Sequence, residues 1–210
     1  MKHLFLFLIL TIMILSCAAV NFAGCTPKNE TSQQTEEQPQ TEEQPVQKSG
    51  PAAELTFSFT RQTGSASNQY AVWIEDGQGQ YVKTLYATRW TAGGGYSRRP
   101  TSIPLWVKQS NLASMMSAQV DAISGATPAT GSLSYTWDGT DSNGAYVPNG
   151  NYTLILEATL RWENLVYYRA PIALGSGDAT ACISVEYTEG ERDTTAERSM
   201  IREVGVKVLR

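Results

Sequence analysis

The stretch that decides the fold is Leu55-Thr56-Phe57-Ser58-Phe59-Thr60, in which apolar and polar side chains alternate. Because successive side chains of a β-strand point to opposite faces, this period of two predicts a strand with one buried face. The two segments that follow, residues 71–75 and 81–86, are apolar and aromatic and flank Asp76-Gly77-Gln78-Gly79. That sequence is typical of a tight turn, so the two segments are predicted to form a hairpin.

Further along the chain, Gly93-Gly94-Gly95 begins a long irregular stretch. Within it, apolar residues at helical spacing around Trp106 predict one short helix between residues 104 and 120. Strand patterns then return at residues 133–137, 151–161, 165–174, 181–189 and 203–209. Seven or eight short strands favour an all-β fold, an immunoglobulin-like antiparallel sandwich with that one helix before residues 121–127.

The chain begins with the features of an export signal. Lys2 precedes an apolar run over residues 4–15, which has the length of a signal-peptide core and is too short to span a bilayer comfortably. Residues 1–24 are therefore predicted to be a removable signal peptide.

A cysteine follows this segment in a specific context. Cys25 comes directly after Ala23-Gly24 and resembles the cysteine of the bacterial lipobox, which becomes the acylated N-terminus of the mature protein. The resemblance implies lipidation at Cys25 and an extracytoplasmic protein anchored to the cell membrane or outer membrane. Cys17 is a rival acceptor, although apolar Ala18-Ala19-Val20 still follows it, and a plain secretory signal without lipid is the other alternative.

Residues 25–51 are predicted to be a disordered acidic linker. Thr35-Glu36-Glu37-Gln38-Pro39 repeats as Thr41-Glu42-Glu43-Gln44-Pro45 within a polar segment. Without an apolar periodicity, such a segment buries too little surface to offset its ordering entropy. The remaining residues, 52–210, are enough for one β-sandwich domain.

The composition excludes several classes of function. Removal of residues 1–24 takes away one of 16 basic residues, which leaves 15 against 20 acidic residues, too small an imbalance to predict a nucleic-acid partner. The sole histidine, His3, leaves with the signal, so the mature chain has no histidine base or imidazole ligand, and no metal is expected. The mature cysteine Cys182 has no disulfide partner, and its place in an alternating run predicts that it is buried.

One turn block has a recognisable pattern. It starts Trp137-Asp138-Gly139-Thr140-Asp141-Ser142-Asn143-Gly144 and ends Asn149-Gly150-Asn151-Tyr152. It resembles the turn of bacterial immunoglobulin-like modules such as the flagellar hook-cap domain, with Trp137 and Tyr152 as core aromatics. A calcium loop using Asp138, Asp141 and Asn143 is the alternative, but Gly139 stands where an EF-hand requires an acidic or amide ligand, and Val147 or Pro148 stands where it requires a glutamate.

The segment that carries chemistry is Asp121-Ala122-Ile123-Ser124-Gly125-Ala126-Thr127. At every fixed position it matches the Asp-x-x-Ser-Gly-Ala-Thr motif of extracytoplasmic flavoproteins, in which an FAD-consuming flavin transferase esterifies the phosphate of FMN to the threonine. The resemblance implies covalent FMN at Thr127, with Asp121, Ser124, Gly125 and Ala126 completing the cofactor-binding motif. The alternative is a helix end followed by a small-residue loop without chemistry.

The residue types suit that chemistry. Thr127 supplies a hydroxyl, Gly125 and Ala126 add little bulk around it, and Pro128 favours an extended backbone that presents it from a loop. For a bound flavin, two sets of side chains are candidates: Arg98 and Arg99 for the phosphate, and Trp90, Tyr96 or Trp106 for the ring.

The order of strands and motifs from Leu55 to Tyr168 resembles the predicted periplasmic domain of unknown function, family 2271, which often occurs with flavin transferases. No counterpart is seen for the tail after Ala170. The resemblances favour a membrane-tethered electron carrier, not a stand-alone enzyme, whose partners are an FMN transferase and envelope redox proteins. A non-redox immunoglobulin-like binding or interaction module of the cell envelope is the alternative.

Overall fold

The computed structural model describes residues 50–190 and 197–209. The predicted signal peptide, the predicted lipid acceptor Cys25 and nearly all of the predicted linker lie outside these residues. In the described part of the chain there is no helix long and apolar enough to cross a membrane.

The described residues form ten strands in two sheets. They are β1 (Ala53–Phe59), β2 (Gln69–Asp76), β3 (Tyr81–Thr88), β4 (Ser124–Gly125), β5 (Gly131–Trp137), β6 (Gly150–Arg161), β7 (Asn164–Leu174), β8 (Ala179–Thr180), β9 (Ser184–Thr188) and β10 (Ile201–Val208). The smaller sheet has the order β5-β1-β10-β8 and the larger one β4-β3-β2-β6-β7-β9. All pairings are antiparallel except that between β3 and β4. The prediction of an all-β sandwich is confirmed.

The main core lies between the two sheets. Leu55 and Phe57 of β1 are buried in one cluster with Val72 and Ile74 of β2 and Leu154 of β6. The predicted alternation of β1 is therefore correct, since its apolar side chains all point toward the larger sheet. Each such side chain contributes about 1.5–3 kcal/mol when it is fully buried.

A second core covers the outer face of the larger sheet. Ala71 and Trp73 alternate with the inward-facing residues of β2 and are fully buried against Ile103, Trp106 and neighbouring apolar side chains. These partners come from the irregular stretch between β3 and β4. Because both of its faces are covered, β2 is buried along nearly its whole length.

That stretch contains three short helices where one was predicted: α1 (Arg89–Ala92), α2 (Pro104–Gln109) and α3 (Ser117–Ile123). The predicted short helix is present as α2, but the helical spacing that continues to residue 120 does not extend it, because Asn111 adopts a left-handed conformation with φ 51°, which a continuous right-handed helix excludes. Met116 is extended, with ψ 152°, and separates α3 from the preceding turn.

The predicted strand over residues 181–189 is also wrong in its extent. The short β8 pairs with β10 in the smaller sheet, whereas β9 pairs with β7 in the larger one. The chain passes from one sheet to the other at residues 181–183. Ala181 and Ile183 pack on the core, and Cys182 between them is exposed, so the prediction of a buried Cys182 is wrong.

Candidate functional site

The motif segment leaves α3 and joins the edge of the larger sheet. Asp121 lies in the last turn of α3, and Ser124-Gly125 forms the two-residue strand β4. This strand runs parallel to the end of β3, with Thr88 opposite Gly125. Ala126 and Thr127 follow in irregular backbone that leads to β5. The chain therefore leaves the sheet at the end where β3 also ends, and Thr127 lies just beyond that edge.

Gly125 permits the close approach that fixes this segment. A Cβ atom at Gly125 would lie 2.8 Å from Cε2 of Tyr86, so only glycine fits without displacement. The Tyr86 hydroxyl donates a hydrogen bond to the Ala126 carbonyl at 2.7 Å. Its ring packs 5.1 Å from both Tyr70 and Tyr135, measured between centroids. The backbone just before Thr127 is thus attached to a packed aromatic cluster.

Thr127 itself is half-buried, and no described residue makes a hydrogen bond to its side chain. It forms part of the wall of a cavity of about 500 Å³. The other walls are the loop between β1 and β2, Trp90 of α1, Arg98 and Arg99, and Trp162 in the turn between β6 and β7.

The cavity has a strongly basic character. Arg61, Arg98 and Arg99 line it, and among the described residues of its lining there is no aspartate or glutamate. Guanidinium groups remain protonated at physiological pH and bind phosphate oxygens in a bidentate manner. The ring of Trp90, whose residue surface is 43% exposed, lies beside them with the Arg99 guanidinium 4.8 Å from its centroid.

A chain of buried hydroxyl groups holds Arg99 in place. Its Nη2 donates to the Ser102 hydroxyl at 3.1 Å, and the Ser102 and Thr91 hydroxyls lie 2.6 Å apart. Thr91 and Thr88 both donate to Oε1 of Gln69, at 3.0 and 2.7 Å. Since Thr91 donates its single hydroxyl proton to Gln69, Thr91 accepts the proton of Ser102, and every donor in the chain has a fixed direction. Burial lowers the pKa of the Arg99 guanidinium.

Two predicted ring-stacking residues lie elsewhere. Trp106 is fully buried in the second core, and its Nε1 donates to the Thr84 hydroxyl at 2.9 Å, so it cannot contact a ligand. Tyr96 packs against the same core and lines a separate depression with Asp121. Of the three aromatic candidates, Trp90 alone lines the cavity with Thr127.

None of the other motif residues lines the cavity. Asp121 is exposed and faces Arg89, with 3.7 Å between the carboxylate oxygen and the guanidinium nitrogen. The Ser124 hydroxyl is buried and has no hydrogen-bond partner among the described residues. The structure thus brings together Thr127, Arg98, Arg99 and Trp90, but not Asp121.

Arg61 and Trp162 are cavity residues that the sequence analysis missed. They lie about a hundred positions apart in the sequence and meet because β2 pairs with β6. The Trp162 amide donates to the Ala66 carbonyl at 2.8 Å and ties their two loops together. No local sequence signal marks either residue; only knowledge of this strand pairing would have found them.

The block over residues 137–152 forms a turn that its own side chains stabilise. Oδ1 of Asp141 accepts from the Asn143 and Ala145 amides at 2.8 and 2.9 Å. Asp138 pairs with Lys83 at 3.0 Å. Trp137 and Tyr152 are buried with ring centroids 5.1 Å apart. No group of three or more histidine, cysteine or acidic side chains suited to a metal occurs within the described ranges.

These features define an all-β sandwich with a half-buried threonine, just after an edge strand of the larger sheet, in the wall of a basic, tryptophan-lined cavity. The chain belongs to the family of predicted periplasmic proteins DUF2271, whose sequence profile matches residues 52–191. The match extends beyond Tyr168, where the resemblance seen in the sequence ended, and includes β7, β8 and β9. No curated protein and no solved structure matches the chain. The family description agrees with the extracytoplasmic location expected from the sequence.

Proposed function

We propose that this protein is a membrane-tethered flavoprotein of the cell envelope that carries FMN esterified to Thr127 and transfers electrons between envelope partners. The observation that carries the proposal is the position of Thr127. Its hydroxyl makes no hydrogen bond within the described chain, and the residue forms part of the wall of a cavity that three arginines and Trp90 also line.

The residues of the cavity fit the cofactor. FMN combines a phosphate with a flat aromatic ring, and the cavity combines guanidinium groups with an exposed indole. Nε of Arg99 is buried without a hydrogen-bond partner among the described residues, so this guanidinium retains an unused donor. Arg98 and Arg99 would hold the phosphate, and Trp90 would contact the ring.

Attachment requires a partner enzyme. Transfer from FAD forms a bond between Oγ of Thr127 and the phosphorus of FMN and breaks the phosphoanhydride bond, so that AMP leaves and the hydroxyl proton passes to a base of the transferase. The described residues around Thr127 include no histidine, which is consistent with a base supplied from outside. Once bound, the flavin supplies the redox chemistry, while this chain positions it and surrounds its charge.

Intact mass spectrometry tests the ester. Protein co-expressed with a flavin transferase is expected to gain about 440 Da, the mass of an FMN phosphoryl group. Thr127→Ala should abolish the gain, and Thr127→Ser, which keeps a hydroxyl, should retain it in part. Thr130→Ala is a matched control, since Thr130 lies in the same loop and its hydroxyl already accepts the Arg61 amide at 3.0 Å. An unchanged wild-type mass would favour the alternative, a non-redox binding module.

Tethering is tested separately at the two candidate cysteines. Cys25→Ser is expected to release the protein from the membrane fraction and to remove labelling by a radioactive fatty acid, whereas Cys17→Ser should change neither. Loss of labelling only in Cys17→Ser would move the anchor to Cys17, and an unlabelled wild-type chain would indicate a plain secretory signal.

A further inference from the structure

The cavity beside Thr127 has the properties of a binding site formed in advance of its ligand. Its volume of about 500 Å³ lies in the range of small-molecule sites, about 300–1,000 Å³. Arg61 and Arg98 are exposed at its rim, whereas Arg99 is half-buried in its wall. Three positive charges without a lining carboxylate favour an anionic ligand.

The aromatic surface of the cavity is fixed in orientation. A Cβ atom at Gly95 would lie 2.5 Å from Cδ2 of Trp90 and 2.3 Å from its carbonyl oxygen, so glycine is required where the chain passes under the indole. The Arg99 guanidinium contacts the same ring and is itself held by Ser102. Trp90 therefore keeps one orientation even though nearly half of its surface is exposed.

The backbone of the opposite wall is held in a costly conformation. Six described non-glycine residues have positive φ, and three of them, Ala66, Asn68 and Trp162, line this cavity. Such backbone persists only where its surroundings enforce it, and it concentrates at binding sites. Here the Asn68 side chain provides the enforcement, since its Oδ1 accepts the Gln62 amide at 2.7 Å and its Nδ2 donates to the Gln62 carbonyl at 2.8 Å.

We infer that this cavity is a preformed noncovalent site for a phosphate-bearing aromatic ligand, in which Arg61, Arg98 and Arg99 bind the phosphate and Trp90 stacks on the ring. The inference rests on the proposed function for the identity of the ligand, flavin mononucleotide. It goes beyond that function in assigning recognition to the carrier itself: the site binds the flavin without the ester, and the ester then retains it.

Titration of the Thr127→Ala protein separates binding from attachment. Flavin fluorescence is followed while this protein is added to FMN or to riboflavin, which has the ring but no phosphate. FMN is expected to be quenched in a saturable manner with a dissociation constant at or below about 1 mM, the effective concentration that a short tether provides. Riboflavin is expected to bind at least tenfold more weakly.

Variants in the same background test the two roles. Arg98→Gln should weaken FMN binding about fivefold or more and leave riboflavin binding unchanged, whereas Trp90→Leu should remove the quenching of both. Arg202→Gln is the matched control, because Arg202 is an exposed arginine on β10, outside the cavity. The far-ultraviolet circular dichroism of each variant establishes that it is folded.

Absence of saturable quenching in the millimolar range overturns the inference, as does equal affinity for FMN and riboflavin. It is also overturned if Arg98→Gln behaves like Arg202→Gln. These outcomes are distinct from failure of the ester. If the wild-type protein stays unmodified but still binds FMN, only the covalent attachment is refuted. If the wild-type protein is loaded but its Thr127→Ala form does not bind FMN, only the noncovalent site is refuted.

Discussion

Glu157 makes the stability of this protein depend on pH near neutrality. Its side chain on β6 is fully buried, and its two carboxylate oxygens accept the Leu105 and Trp106 amides at 3.1 and 2.7 Å. It therefore holds the start of α2 against the larger sheet. Burial raises the pKa of this carboxyl from 4.5 to about 7, because loss of hydration outweighs the backbone hydrogen bonds that lower it.

The direction of this pH dependence follows from the number of protons that the folded and unfolded chains bind. Between pH 4.5 and about pH 7 the folded protein binds a proton at Glu157 that the unfolded chain releases, so the protein loses stability as the pH rises through this interval. The full effect is about 3 kcal/mol, of which about 2 kcal/mol falls between pH 5.5 and pH 8. Burial raises the pKa of Tyr167, which lies opposite Glu157 on β7, so this phenol does not titrate in this range.

Urea unfolding of the wild type and Glu157→Gln at the two pH values measures this term. The glutamine does not titrate, so the stability of Glu157→Gln relative to the wild type should rise by about 2 kcal/mol from pH 5.5 to pH 8, whatever its absolute value. Glu186→Gln is the control, since Glu186 is exposed on β9 and should give an almost constant difference. A constant or falling difference for Glu157→Gln would refute the reasoning.

Two other substitutions and one labelling experiment have defined outcomes. Gly125→Ala should reduce stability by about 1–3 kcal/mol, because its Cβ meets the packed Tyr86 ring, and should reduce FMN loading in co-expression; normal melting and loading would contradict this. Ser102→Ala removes the central hydroxyl of the Arg99 chain and should lower the melting temperature, whereas Ser110→Ala should not, because the buried Ser110 hydroxyl has no described partner; equal effects would show that the chain does not stabilise the fold. Cys182 should react with a thiol reagent at nearly the same rate in native and urea-unfolded protein, and reaction only after unfolding would show that it is buried.

Apolar patterns in the sequence were sufficient to predict most strands, because each long strand contributes side chains to the core between the sheets. It was insufficient where tertiary context decided the outcome. The strand β4 has only two residues and exists because Gly125 fits against Tyr86. The break at Asn111 depends on a left-handed residue that local spacing cannot reveal.

The tail after Ala170 shows the same limit. Its last strand, β10, lies beyond the residues that the family profile matches, yet it pairs with β1 along nearly its whole length and separates β1 from β8. Long-range pairing of this kind leaves no local signature, since a strand pattern does not identify its partner.

The candidate site is a consequence of strand register at one end of the larger sheet. Gln69 at the start of β2 is paired with Thr159 near the end of β6, and Ala71 with Ala87 near the end of β3. The loop before β2, the segment after β3 and the turn after β6 must therefore converge, which brings the arginines and tryptophans together. Because β4 pairs with β3 in parallel, the chain after β4 leaves the sheet at this same end and places Thr127 there. A sequence motif can mark the acceptor threonine, but only this register determines what surrounds it.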